Sequence, residues 1–224
     1  NTGNYYVRNN SFSFADLYLF STATVLYKNH KFSGDGSYYL PGSDNANDYS
    51  LQLDYQFNNR NLSFDANQSF VLGGATIKQA FGDANHIAYS NDFEKVYWMR
   101  TGASITLKAI NTTLGAENLL YRRYIYFGRN IIPEQQTGNL NHQIFWLSQE
   151  LQLGIFNLHH RLSYQRADSD LIRFPDWMYR GGFFVRDTIF KGNFVPQVGI
   201  DFRYHTAFKA YAYYPQYSIF YLQD

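Results

Sequence analysis

An all-β fold, built as an antiparallel transmembrane barrel or a large part of one in meander order, is predicted by three observations in this chain. The first is a period-two alternation that recurs from end to end. Between Tyr49 and Phe57, the residues Tyr49, Leu51, Leu53, Tyr55 and Phe57 fall on one face of a strand, and Ser50, Gln52, Asp54 and Gln56 on the other. The second is composition: 21 Tyr, 20 Phe and 3 Trp make aromatics 20% of the chain, charged residues are only 17%, and the mean hydropathy is still −0.41. A spanning helix needs about 20 mostly apolar residues, and no such run occurs; a barrel strand needs only every second residue to meet lipid. The third is that tight turns and long polar loops alternate along the chain, as they do in barrels with short turns at one membrane surface and long loops at the other.

Taken in order, the pattern predicts about eleven strands. Leu17 to Lys28 and Lys31 to Leu40 flank a tight turn at Asn29 and His30, and 41–48 has the Pro, Gly, Asn and Asp content of a loop. Tyr49 to Phe57 and Leu62 to Leu72 flank a short turn, and 73–86 is a longer excursion. Phe93 to Ile110 and Leu114 to Phe127 meet near Asn111, with 128–138 as the next long loop. Leu140 to Leu153 and Asn157 to Arg166 bracket Gly154, and 167–177 is again a loop. Tyr179 to Phe190 and Phe194 to His205 bracket 191–193, and Tyr211 to Leu222 is the last candidate. The single domain expected over 1–224 is open-ended: the chain begins without Met and stops within a strand-like alternation, so further strands are expected beyond both ends.

A soluble sandwich would bury the same aromatic faces in a core. Against it stand strand lengths above the mode of about 5 to 6 residues for globular sheets. Tyr5 and Tyr6, Tyr38 and Tyr39, and Tyr97 and Trp98 fall at strand ends, where interfacial aromatic girdles belong.

Parity then assigns faces. Asp54, Gln56, Glu150, Gln152, His159, Arg161, Asp201 and Arg203 are expected to face a wet lumen; Leu51, Leu53, Tyr55, Leu147, Leu151, Ile200 and Phe202 are expected to face lipid. With both signs lining one lumen, weak ion preference is the expectation, because strong filters use clustered charge of one sign. A bulge at Gly34, Gly73, Gly102 or Gly199 would shift these parities.

Several function classes drop out. A net charge of +1 with dispersed basic residues argues against nucleic-acid binding. The absence of Cys removes disulfides and thiolate chemistry. His159 and His160 are adjacent, so they face opposite ways on a strand and cannot chelate one ion together. No nucleophile elbow, phosphate loop or His-Glu-x-x-His segment is present, so no catalytic residue, metal or cofactor is assigned. Arg122 and Arg123 beside Tyr121 and Tyr124 form the densest basic spot; it is read as solvated charge at a strand end, with lipid head groups or lipopolysaccharide as the functional alternative.

The run from Ile87 to Trp98, Tyr124 to Phe127, Leu162 to Gln165 and Tyr211 to Gln223 resemble, in order, blocks of the putative porin family of outer-membrane barrels in Bacteroidota. The resemblance implies a larger single-domain barrel in the bacterial outer membrane, of which this chain covers an internal to C-terminal part. Two functions follow as expectations: a passive channel for small polar solutes or ions, or a non-conducting barrel serving as accessory subunit of a machine for protein insertion, secretion or nutrient uptake. The partners expected are outer-membrane lipid, lipopolysaccharide and, under the second reading, other outer-membrane proteins.

Overall fold

The computed structural model describes residues 15–43, 45–84, 87–189, 191 and 193–223; Tyr5 and Tyr6 lie outside them. In chain order the elements begin with β1 (Tyr18–Tyr27), β2 (His30–Tyr39), β3 (Tyr49–Asn58), β4 (Leu62–Gly73), the single-turn α1 (Ile77–Ala80), β5 (Phe81–Ala84) and β6 (Ile87–Ser90). There follow β7 (Val96–Leu107), β8 (Thr112–Arg122), β9 (Ile125–Phe127), β10 (Pro133–Gln135), β11 (Asn139–Leu153) and β12 (Phe156–Ala167). The last are β13 (Trp177–Arg186), β14 (Gln197–His205), β15 (Ala212–Tyr214) and β16 (Ile219–Tyr221).

Ten of these strands form one antiparallel sheet in the order β1-β2-β3-β4-β7-β8-β11-β12-β13-β14, a meander in which chain order is spatial order. The short strands form separate hairpins, β5 with β6, β9 with β10 and β15 with β16. Tight turns at one end use left-handed backbone, at Lys28 (φ 52°), Asn111 (φ 43°) and Gly154 (φ 63°). Glycine adopts that conformation without strain, and Asn tolerates it better than most residues.

The pairing is one-to-one through all nine ladders, so no bulge shifts parity at Gly34, Gly102 or Gly199. Residues opposite one another in a ladder share a face. One such row reads Phe57, Phe64, Ile105, Leu114, Leu147, Leu162, Tyr179, Tyr204, and the parallel row beyond it Tyr55, Ala66, Ala103, Ala116, Phe145, Tyr164, Trp177. Toward the long loops Tyr38, Tyr49, Leu72 and Tyr97 make a belt on this face, closed by the Arg122 guanidinium 5.7 Å over the Tyr97 ring. Tyr39 and Trp98, the other members of those aromatic pairs, turn to the opposite face.

No second layer covers the apolar face among the described residues: Ile200 and Val198 are each 76% exposed, and Phe32, Leu53, Leu114, Phe145 and Phe183 are all open. A sheet in water must bury its hydrophobic face against something, and exposed patches on soluble monomers seldom exceed a few hundred Å². The sandwich alternative fails on this point. Buried hydrophobics among the described residues are confined to the loop end, at Ile125, Leu140, Ile219 and Leu222.

Two expectations need correction. The candidate strand from Tyr211 to Leu222 does not join the sheet, which has ten strands and not eleven; it folds as the β15–β16 hairpin with its turn at Pro215, a residue with no N–H for a ladder and a fixed φ. Strand β13 ends at Arg186 and β14 starts at Gln197, leaving 187–196 as a longer connection held by the Ile189–Phe194 bridge and ended by Pro196. The apolar face is also interrupted, because Gln68, Thr101, Asn118 and Gln143 lie opposite one another in a polar row across it, with Thr101 Oγ1 donating to Gln68 Oε1 at 2.7 Å.

Candidate channel wall

The polar face is assembled row by row from strands that each contribute alternate residues. All eight residues expected at a lumen share it, and all seven expected at lipid share the other face. Register brings some of the eight together and keeps others apart. Glu150, His159, Gly182 and Asp201 form one row, in which His159 Nε2 lies 3.4 Å from Asp201 Oδ1 across the intervening strand. That contact exists because Gly182 has no side chain: a Cβ there would meet His159 Cε1 at 2.1 Å and Asp201 Oδ1 at 2.7 Å. Gln152 pairs with Asn157 one row further out. Asp54 and Gln56 are remote from these, on β3, where Gln52 Nε2 donates to Asp54 Oδ2 at 3.0 Å.

Both signs share this face, and register sorts them by position. Strands β2 to β4 carry Lys31 against Asp35, Asp54 and Asp65. The centre is neutralised, since Arg100 reaches Glu117 with Nη2 to Oε1 at 2.5 Å and Nε to Oε2 at 3.2 Å. Strands β12 to β14 carry Arg161, Arg180, Arg186 and Arg203 against Asp201. Arg161, Arg180 and Arg203 are direct neighbours in one row, and all three are exposed. Like charges opposite one another destabilise a sheet; two unit charges about 5 Å apart repel by about 0.8 kcal/mol in water and by more where water is thinned. Arg161 is held by Trp146, its guanidinium 5.6 Å from the indole centroid. Gly115 makes room for that indole, whose Cζ2 would stand 2.1 Å from a Cβ at this position.

Sequence reading missed Arg180 and Trp146. The polar parity of β13 is Arg180, Gly182, Phe184 and Arg186, too broken by Gly and Phe to announce a face; that of β11 includes Ile144 and Trp146. Only register puts Arg180 between Arg161 and Arg203. Of the basic pair near the loops, Arg123 binds Glu94 (2.5 Å) and Arg122 stacks on Tyr97, so among the described residues only the first is charge-paired.

At the loop end, segments fold back over the polar face. Phe174 stacks on His142 with centroids 4.0 Å apart, Gln165 Nε2 donates to the Pro175 carbonyl at 3.0 Å, and Tyr124 and Ile125 share a cavity of about 250 Å³ with Val71, Trp98 and Tyr121. Burial pushes the Tyr124 hydroxyl up to about 12. Burial and the hydrogen bond donated to Glu134 do the same for Tyr126. The segment 206–223 ties the loops together: Leu222 N donates to the Phe127 carbonyl, Arg173 Nη1 to the Gln223 carbonyl at 2.6 Å, Lys78 Nζ to the Tyr217 carbonyl at 3.2 Å, and the Tyr211 hydroxyl to the Leu171 carbonyl. Among the described residues no group of His, Asp and Glu could hold a metal ion, and no helix is long and apolar enough to cross a membrane.

A long-stranded meander with one face apolar and open, and the other polar and charged, is the wall of a transmembrane β-barrel. The sheet is not closed on itself among the described residues, since β1 and β14 are its two edges. The chain belongs to the family described as putative porin, whose model matches residues 4–224. No curated protein and no solved structure matches it.

Proposed function

We propose that this chain forms the wall of an outer-membrane channel through which small polar solutes or ions diffuse passively. The observation that carries the reading is the separation of faces, in which the ladders put most charged side chains on one side and most aromatic and aliphatic ones on the other. Lipid would cover Leu51, Leu53, Tyr55, Leu147, Leu151, Ile200 and Phe202, with acyl chains filling the shallow trough over Ala103 and Ala116 between Phe64, Phe145 and Trp177. Water would wet Asp54, Gln56, Glu150, Gln152, His159, Arg161, Asp201 and Arg203. Conduction needs no bond chemistry: hydrated solutes pass along polar side chains whose hydrogen bonds replace those of bulk water, and the fixed charges set which ions enter. Family membership supports the outer-membrane location.

The segments folded over the loop end favour a second reading, a plugged barrel that is an accessory subunit of a larger outer-membrane complex for protein insertion, secretion or nutrient uptake. Single-channel recording separates the two. Protein extracted folded from membranes, verified by heat-dependent gel mobility, is expected to give stable ohmic openings in a planar bilayer; a folded barrel that stays silent while co-purifying with stoichiometric partners would replace the channel with the subunit.

A further inference from the structure

We infer that Arg161, Arg180 and Arg203 form an oxyanion-binding step on this wall, selective for small solutes that carry a phosphate or carboxylate group. The inference rests on the channel reading for its physiological meaning, but the binding itself does not require conduction.

The row that contains them begins Asn58, Ser63, Thr106, Thr113, Ser148 and ends Arg161, Arg180, Arg203, so uncharged hydroxyl and amide groups lead to three consecutive cations. The two nearest carboxylates on this face, Glu150 and Asp201, stand one row away, and Asp201 is turned to His159. None of the three guanidinium groups has a carboxylate within ion-pair distance among the described residues. Contrast Arg100, on the same face, whose charge is cancelled by a two-point contact with Glu117. Arginine presents a planar fork that matches a phosphate or carboxylate edge with two parallel hydrogen bonds, and it stays charged at any physiological pH. Three forks on adjacent strands repel one another until an anion sits between them, so an oxyanion is the partner that relieves the row. Trp146 fixes the Arg161 guanidinium from the side, which lowers the ordering cost of binding. The hydroxyl of Ser148, opposite Arg161 in the same row, supplies a further donor at its edge.

Inorganic phosphate is the probe. Its binding to the folded, detergent-extracted protein is measured by titration calorimetry in chloride buffer, for the natural chain and for variants in which all three arginines become Gln or all three become Lys. The expected result is saturable phosphate binding that weakens at least tenfold in the Gln variant and is partly kept in the Lys variant, which retains charge without the fork. Heat-dependent gel mobility checks that each variant is folded, and R100Q, which removes one cation elsewhere on the same face, should leave phosphate affinity unchanged. Absence of phosphate binding in the natural chain, or equal binding in the folded Gln variant, would overturn the assignment. Conductance is recorded separately: a silent barrel that binds phosphate through these arginines removes the channel reading and keeps the site, whereas a conducting barrel without phosphate binding does the reverse.

Discussion

Strands β2–β4 and strands β12–β14 present the same face of the same sheet, yet one arm carries Asp35, Asp54 and Asp65 and the other Arg161, Arg180 and Arg203. Between them Arg100 and Glu117 cancel. The difference teaches that near-zero net charge says little about the field inside such a wall. Balance over the whole chain is compatible with one acidic and one basic bank, and a row of like charges on adjacent strands persists only where solvent or a ligand screens it.

The most severe way to break the comparison is to put charge on the wrong face. Leu147→Arg places a cation among Leu114, Phe145 and Leu162 and should cost about 2 to 4 kcal/mol of membrane stability, whereas Ser148→Arg, one residue on, extends the basic bank and should fold. Urea titration in lipid vesicles reads both; equal destabilisation would mean that the faces are not chemically distinct. Next in size, neutralising the two banks should move ion preference in opposite directions. The triple Arg→Gln variant is expected to shift the reversal potential in a salt gradient toward cations by several-fold in permeability ratio, and Asp35, Asp54 and Asp65 to Asn toward anions by a similar factor. Shifts of the same sign would show that the banks do not line one path.

A smaller effect sharpens the basic bank alone. Gly115→Val fills the space over which the Trp146 indole lies and should cost about 1 to 3 kcal/mol through displaced packing, with a loss of ordered Trp fluorescence. An unchanged emission spectrum would place that indole elsewhere. The smallest effect belongs to the loop end. The Tyr126 hydroxyl, raised to about 12 by burial and by Glu134, keeps its proton in the fold where the unfolded chain has lost it. The stability it adds is therefore full below about pH 10 and falls away between pH 10 and 12. Limited proteolysis of the β9–β10 loop should accelerate across that window in the natural chain and less steeply in Tyr126→Phe; parallel curves would remove Tyr126 from the account.

Much of this architecture is legible in the sequence because period two leaves little freedom. Tyr49–Asn58, Leu62–Gly73 and Asn139–Leu153 fall within a residue of where alternation puts them, and a ladder without bulges carries parity intact from strand to strand. The misreading of Tyr211 to Leu222 has a local cause, since Pro215 interrupts a run whose aromatic alternation is otherwise strand-like. The charge banks were hidden for a different reason. Alternation tells which face a residue takes, whereas the company it keeps depends on register between strands, and no pattern within β13 sets Arg180 opposite Arg161. The fold-back of Phe174 and Pro175 onto His142 and Gln165 was likewise invisible, as the sequence of a loop carries no period that says where it will lie.

The strap at residues 206–223 gives the loop end the behaviour of a tied bundle. Because it bonds to loops arising between β4 and β7, between β8 and β11, and between β12 and β13, each of those loops is anchored to something other than its own two strands. A single protease cut at residues 129–131 would leave both new ends in place, the gap invisible to any solute passing below. Cutting the strap itself would release three loops at once, so wear at this surface should register as all or nothing.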